Sequence, residues 1–203
     1  MMKGLLLKDI INLKQQGKLY IFIIAIWLAI AIASRDGNFF GGVMTMFTIL
    51  VPISAAAYDD KAKWDRFALT MPISRWDLVL SKYLLALICS VVTAFLSEIV
   101  MVIITGDILS SLLQSAAYVM AGMFLVSLIL PFIFKFGVEK ARLIMMAVVL
   151  IPTVLITAIS GMDISLPEWK EPEKIVWLFP VAAITILIVS VAVSKKIYDN
   201  KEL

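Results

Sequence analysis

The sequence predicts an all-α, polytopic membrane protein built as a single transmembrane domain over residues 1–203, and three observations carry that prediction. Hydrophobic residues make up 62% of the 203-residue chain and charged residues 16%, with a mean hydropathy of +1.01, outside the usual composition of soluble domains. Six stretches carry almost no charge: 19–34, 37–58, 83–106, 108–134, 143–162 and 175–194. A bilayer core of about 30 Å needs roughly 20 apolar residues per helix, so each stretch is a candidate span. With six spans, 15 of the 18 lysines and arginines fall on the side of the termini, leaving only Arg35, Lys170 and Lys174 on the other. The excess of basic residues in cytoplasmic segments then places both termini in the cytoplasm.

The elements follow in order. The opening "MMKGLLLKDIINLKQQGK" has no small-residue cleavage site after its first apolar run, so no signal peptide is expected. Residues 1–17 read as a helix in the inner membrane interface, with Met2, Leu6, Ile10 and Leu13 on an apolar side and Lys8, Asp9 and Asn12 opposite. Its lysines are expected to reach toward anionic lipid, with Lys3 and Lys14 snorkelling out of the apolar arc. The first span is short, at roughly 24 Å, so Lys18 and Arg35 should snorkel at its ends. "SRDGN" and "TGDILSS" read as outer turns, and 161–174 as an acidic outer loop broken by Pro167 and Pro172. Pro52, Pro131, Pro152 and Pro180 fall inside spans as expected kinks. Gly37 and Gly41 in "GNFFG" fit close helix packing and are a weak dimerisation signal.

Much chemistry is excluded. The chain has no histidine, which removes Ser-His and Cys-His nucleophile pairs and His-ligated metals. Its one cysteine, Cys89, lies in an apolar run and builds neither a disulfide framework nor a thiolate metal site. No glycine begins a GxxxxGK[ST] phosphate-binding loop. The chain is therefore not expected to be an enzyme or to hold a metal or cofactor.

The exception to the apolar character is "YDDKAKWDRFALTMPISRWDLVLSKY", residues 58–83. Taken as a helix from 60 to 71, it puts Trp64, Phe67, Ala68 and Met71 on one face, with Asp59 or Asp60 suited to the N-cap. Pro72 breaks that helix, and Ser74 with Asp77 forms a capping-box pattern that starts the next. Two readings stay open: a helix lying on lipid with Trp64 and Trp76 in the aromatic belt, or a docking helix for another protein.

"KWDRFALTMPISRWDLVLSKY" resembles the segment that links spans two and three in small bacterial permeases of type-2 ABC exporters. Trp64, Phe67, Thr70, Pro72, Ser74, Arg75, Val79, Ser81, Lys82 and Tyr83 carry the resemblance, and the chain length and topology are similar throughout. The resemblance implies that 59–73 acts as a coupling helix docked in a cleft of a separate ATPase. Trp64 and Phe67 would anchor it, Asp65, Arg66 and Arg75 would pair at the rim, and Met71 and Pro72 would complete the contact. It also implies two ATPase copies that bind the ATP and magnesium, and a second permease copy, identical or a paralogue. The chain would lie in the bacterial plasma membrane, with no nucleic acid among its partners. The cargo suggested by the small peptide-exporter permeases of Gram-positive bacteria is amphipathic or antimicrobial-type peptide, including the phenol-soluble-modulin class. The alternatives are a non-transporting scaffold or immunity subunit, and a secondary carrier, for which a single buried carboxylate leaves little ion coupling.

That carboxylate is Glu98, the one ionisable side chain inside an apolar span. It could line a translocation path, reach the outer interface, or bond to Ser97 or Thr105 neighbours.

Overall fold

The computed structural model describes residues 2–160 and 172–200, and among these there is no strand. The described residues form eight helices: α1 (Met2–Lys14), α2 (Gly17–Ser34), α3 (Gly37–Lys61), α4 (Trp64–Ala68), α5 (Arg75–Thr105), α6 (Ile108–Phe136), α7 (Val138–Ser160) and α8 (Pro172–Asp199). Among the described residues five segments are long and apolar enough to cross a membrane: α2, α3, α5, α6 and residues Pro180–Asp199 of α8. The 143–162 stretch falls in α7 as far as Ser160, and the expected outer loop lies outside the described residues up to residue 171.

The helix ends are set by local chemistry. Arg35 closes α2 in the left-handed conformation (φ 53°), and Asp36 opens α3 by accepting the Asn38 N–H at 2.9 Å. Gly106 (φ 73°) ends α5, a conformation that glycine adopts without steric cost. Asp107 then caps α6, accepting from the Leu109 N–H at 3.0 Å. Hydrogen bonds from the Ser110 side chain and the Leu109 N–H hold the Asp107 carboxyl below its ordinary value. Being ionised, it complements the positive end of α6 at neutral pH; that contribution is lost as pH falls through the lowered value.

The helices α3, α5 and α6 pack on one another; α8 closes over α6 and α5, α7 lies on α6, and α2 leans on α3. Pro52, Pro131 and Pro180 each stand within a continuous helix. The core divides in two. One cluster joins Leu5, Ile53, Tyr83, Ile133, Phe134 and Tyr198 from five helices. The other fastens α2, through Ala31, to Phe40, Met44 and Phe47 of α3 and Val100 of α5. Most of α2 remains uncovered, with Ile21, Phe22 and Ile32 all exposed.

The two glycines of "GNFFG" face inward. A Cβ on Gly37 would lie 3.0 Å from Met101 Cγ, and one on Gly41 would lie 2.6 Å from the Tyr118 ring and 2.7 Å from Met101 Cε. These glycines let α3 approach α5 and α6 within this chain, which accounts for the motif without a dimer. Gly41→Ala is expected to destabilise by about 1–3 kcal/mol through overpacking. Gly42→Ala, whose added Cβ meets nothing within 4 Å, is the control in a detergent unfolding titration.

Candidate functional site

The segment between α3 and α5 folds as a compact elbow. The sequence suggests one helix over 60–71, but α3 runs on to Lys61 and the elbow helix spans only Trp64–Ala68. Asp59 and Asp60 therefore sit in the last turn of α3, and Lys63 takes the cap position of α4. Lys63 is left-handed (φ 48°), a conformation costing a non-glycine residue about 1–2 kcal/mol, and it turns the chain sharply out of α3. Leu69 to Pro72 form tight turns, in which Ile73 N–H donates to Met71 O at 2.7 Å. Ser74 then opens α5 with the expected capping box: its hydroxyl oxygen accepts from the Asp77 N–H at 3.1 Å. The Ser74 N–H in turn donates to Asp77 Oδ2 at 3.3 Å.

The elbow has two faces. Trp64, Asp65, Leu69 and Arg75 are half-buried and Ala68 is fully buried, whereas Arg66, Phe67, Met71 and Pro72 are exposed. Trp64 packs against the inner core with its ring 5.4 Å from that of Phe67 and the Lys8 ammonium 4.6 Å above it. Its buried indole N–H has no hydrogen-bond partner among the described residues. Asp65 faces the Tyr198 phenol. Arg75 donates from Nη1 to the Tyr198 and Asp199 carbonyls at 2.8 and 2.9 Å, tying the start of α5 to the C-terminal end of α8. Of the residues assigned by resemblance to one docking surface, Arg66, Phe67, Met71 and Pro72 thus share an outward tip. Trp64, Asp65 and Arg75 hold that tip to the bundle.

Beneath the elbow lies a group of charges that sequence patterning missed. Lys82 donates to both carboxylate oxygens of Asp9 at 2.9 and 2.8 Å and pairs with Asp59 Oδ2 at 2.6 Å. Lys8 pairs with Asp59 Oδ1 at 2.5 Å and Asp9 Oδ1 at 3.1 Å. Two lysines and two aspartates thus neutralise one another, with Asp9 fully buried, Lys82 5% exposed and Asp59 9% exposed. Desolvation costs several kcal/mol per ion, so this arrangement holds only because each charge has two opposite partners. A cavity of about 40 Å³ adjoins it, lined by Asp59, Asp60, Asp65, Ser81 and Tyr198 among others.

This quartet corrects the expected setting of the polar side of α1: Lys8 does not reach toward lipid but pairs with Asp9 and Asp59. Leu5 and Asp9 face the bundle, while Leu7, Ile10 and Ile11 are exposed. Lys8 and Asp9, read as polar, are bound to the protein by ion pairs, whereas of the residues read as the apolar side Ile10 is exposed and Met2, Leu6 and Leu13 are half-buried. Lys82 and Arg75 lie on one face of α5, two turns apart, so the first turns of α5 grip α1, α3 and α8 together. Tyr83 adds hydrogen bonds to Ser190 at 2.6 Å and Ser194 at 2.8 Å on α8.

Glu98 lies in a polar seam of the membrane bundle. Ser115 of α6 donates to Glu98 Oε2 at 2.5 Å, and about one and a half turns back along α5 Thr93 shares a 2.8 Å hydrogen bond with Thr48 of α3. Ser97 and Thr105 bond within their own helix instead, to the Ala94 and Met101 carbonyls. Glu98→Gln keeps an acceptor for Ser115, so folding should be preserved. Transport of a cationic amphipathic peptide falls if Glu98 lines its path, and unchanged flux removes that role.

Among the described residues no group of histidine, cysteine, aspartate or glutamate could hold a metal ion. What remains is a multi-pass membrane protein whose organised polar surface is an elbow between two spanning helices. Residues 4–199 match the model of the ABC-2 family transporter proteins, and the chain belongs to that family. It is the membrane-spanning permease component of an ABC transporter. No curated protein and no solved structure matches the chain.

Proposed function

We propose that this permease is the membrane half of an ATP-driven exporter in the bacterial plasma membrane, worked by a separate ABC ATPase that grips the elbow. The observation that carries the reading is the outward tip of Arg66, Phe67, Met71 and Pro72, held by inward anchors between two spanning helices. Exposed aromatic, apolar and arginine side chains on a rigid mount are what a protein interface uses as anchors. A five-residue helix offers little apolar stripe for lying along lipid.

In this reading two ATPases close on ATP and carry the elbows of two permease copies with them. The capping box and the Arg75 tie make the start of α5 rigid, so displacement of α4 travels along α5 into the bilayer. This chain supplies no nucleotide or magnesium ligand; both belong to the partner. The distribution of basic residues supports six spans with α7 as the remaining one, and cytoplasmic termini. Resemblance supports amphipathic peptides, including the phenol-soluble-modulin class, as cargo.

The test is to purify the chain with its partner P-loop ATPase, sought first in the adjacent genes, and measure ATP hydrolysis with and without a cationic amphipathic helical peptide. Hydrolysis that rises with the peptide, with ATP-dependent flux into inverted vesicles, is expected. A complex with no ATPase, or with hydrolysis and flux indifferent to the peptide, favours a scaffold over an exporter.

A further inference from the structure

We propose that the Lys8–Asp9–Asp59–Lys82 quartet makes α1 a moving part of the coupling junction, with Asp9 and Lys82 as positioning residues that carry elbow displacement into the N-terminal helix. The inference rests on the docking of an ATPase at the elbow, proposed above.

The geometry sets α1 apart from a passive membrane anchor. Such an anchor turns its apolar side to lipid and its charges to water, and needs no bond to the bundle. Here Asp9 is fully buried and held by two bonds from Lys82 at 2.9 and 2.8 Å, with Lys8 closing the ring through Asp59. The four charges come from three elements: the middle of α1, the last turn of α3 and the third turn of α5. Those last two elements are the arms of the elbow. The Lys8 ammonium, 4.6 Å above the Trp64 ring, also links α1 to α4 itself. Apolar contacts are non-directional and allow helices to slide, whereas buried ion pairs fix register because a shifted partner leaves a charge unpaired. Movement of α4 therefore cannot leave α1 behind without opening the quartet. The exposed Leu7, Ile10 and Ile11 would then sweep through the inner lipid interface as α5 moves.

The test uses the full permease–ATPase complex in vesicles, with Cys89→Ser and spin labels on two pairs of introduced cysteines. Leu7→Cys with Lys61→Cys reports α1 against the elbow; Leu7→Cys with Leu109→Cys reports α1 against the far end of α6. Distances are compared with and without ATP on a hydrolysis-deficient ATPase. In the parent, ATP is expected to leave the 7–61 distance unchanged and shift the 7–109 distance. In Asp9→Leu/Lys82→Met, which keeps the Lys8–Asp59 pair and charge balance, the 7–61 distribution should broaden and the 7–109 shift should fall at least twofold. If that double variant does not fold, Asp9→Asn, which retains an acceptor for Lys82, should move both distances in the same direction by less. An unaltered 7–109 shift in the folded variant, or an unmoved α1 in a parent that binds the ATPase, overturns this proposal alone. A parent that binds no ATPase overturns the docking reading and this proposal with it.

Discussion

Lys82→Ala is expected to destabilise the folded chain by about 3–5 kcal/mol, the cost of breaking a buried ion pair and leaving its partners uncompensated. Lys82 makes three of the contacts that hold Asp9 and Asp59, and Asp9 has no exposure to water. Without Lys82, two buried carboxylates converge on Lys8 alone. Asp9→Leu/Lys82→Met removes both members of one pair, and apolar replacement of a whole pair is often neutral or stabilising, so it should unfold close to the parent. Lys140→Ala, at an exposed position, should change stability by no more than about 0.5 kcal/mol. Reversible denaturant unfolding in detergent, with all three variants side by side, measures the contrast. A Lys82→Ala chain as stable as the Lys140→Ala control would mean that the quartet does not hold the junction together.

Phe67→Ala with Met71→Ala is expected to uncouple the permease from its ATPase while leaving the fold intact. Both side chains point outward, Phe67 at 54% exposure and Met71 at 38%, so truncation removes little internal packing. Apolar anchors at the centre of an interface are worth about 2 kcal/mol or more on truncation, which corresponds to roughly a 30-fold weaker association. Trp64→Ala behaves differently, because that ring packs into the inner core and lies beneath Lys8. It should lower stability as well as coupling. Parallel measurement of unfolding and of ATPase retention on the immobilised, vesicle-embedded chain separates the two effects. Equal retention by the Phe67/Met71 double variant and the parent removes the elbow tip as the docking surface.

Local signals made much of the architecture legible, because apolar length and caps act within a few residues. The α2–α3 and α5–α6 turns fall where "SRDGN" and "TGDILSS" suggest, and the Ser74–Asp77 capping box forms as read. The elbow was legible as a break but not in its extent. Periodicity over 60–71 suits a longer helix, yet the left-handed Lys63 and the continuation of α3 to Lys61 reduce it to one turn and a half of helix. That rearrangement divides the expected docking residues between an outward tip and inward anchors. The quartet was invisible for a different reason. Its bonds join residues 51 and 73 positions apart, and no local pattern distinguishes a lysine or aspartate that will be paired from one that will be solvated. The same blindness hid what the polar side of α1 meets, since periodicity shows that an amphipathic helix has two faces but not which charges will find a partner in the protein. The partner of Glu98 was hidden likewise: Ser97 and Thr105 spend their hydroxyls on carbonyls of α5 itself, and Ser115 is brought up only by the register of α5 against α6.

The claim that the elbow meets an ATPase is tested most directly by placing a photoreactive benzoyl-phenylalanine at position 67 of the full chain, expressed with its partner ATPase in its own membrane. Irradiation is expected to yield an adduct containing both polypeptides, and the same probe at Val181, exposed on α8 within the membrane-spanning part, should yield none. An elbow probe that captures only lipid while the ATPase is bound elsewhere on the chain would contradict the account.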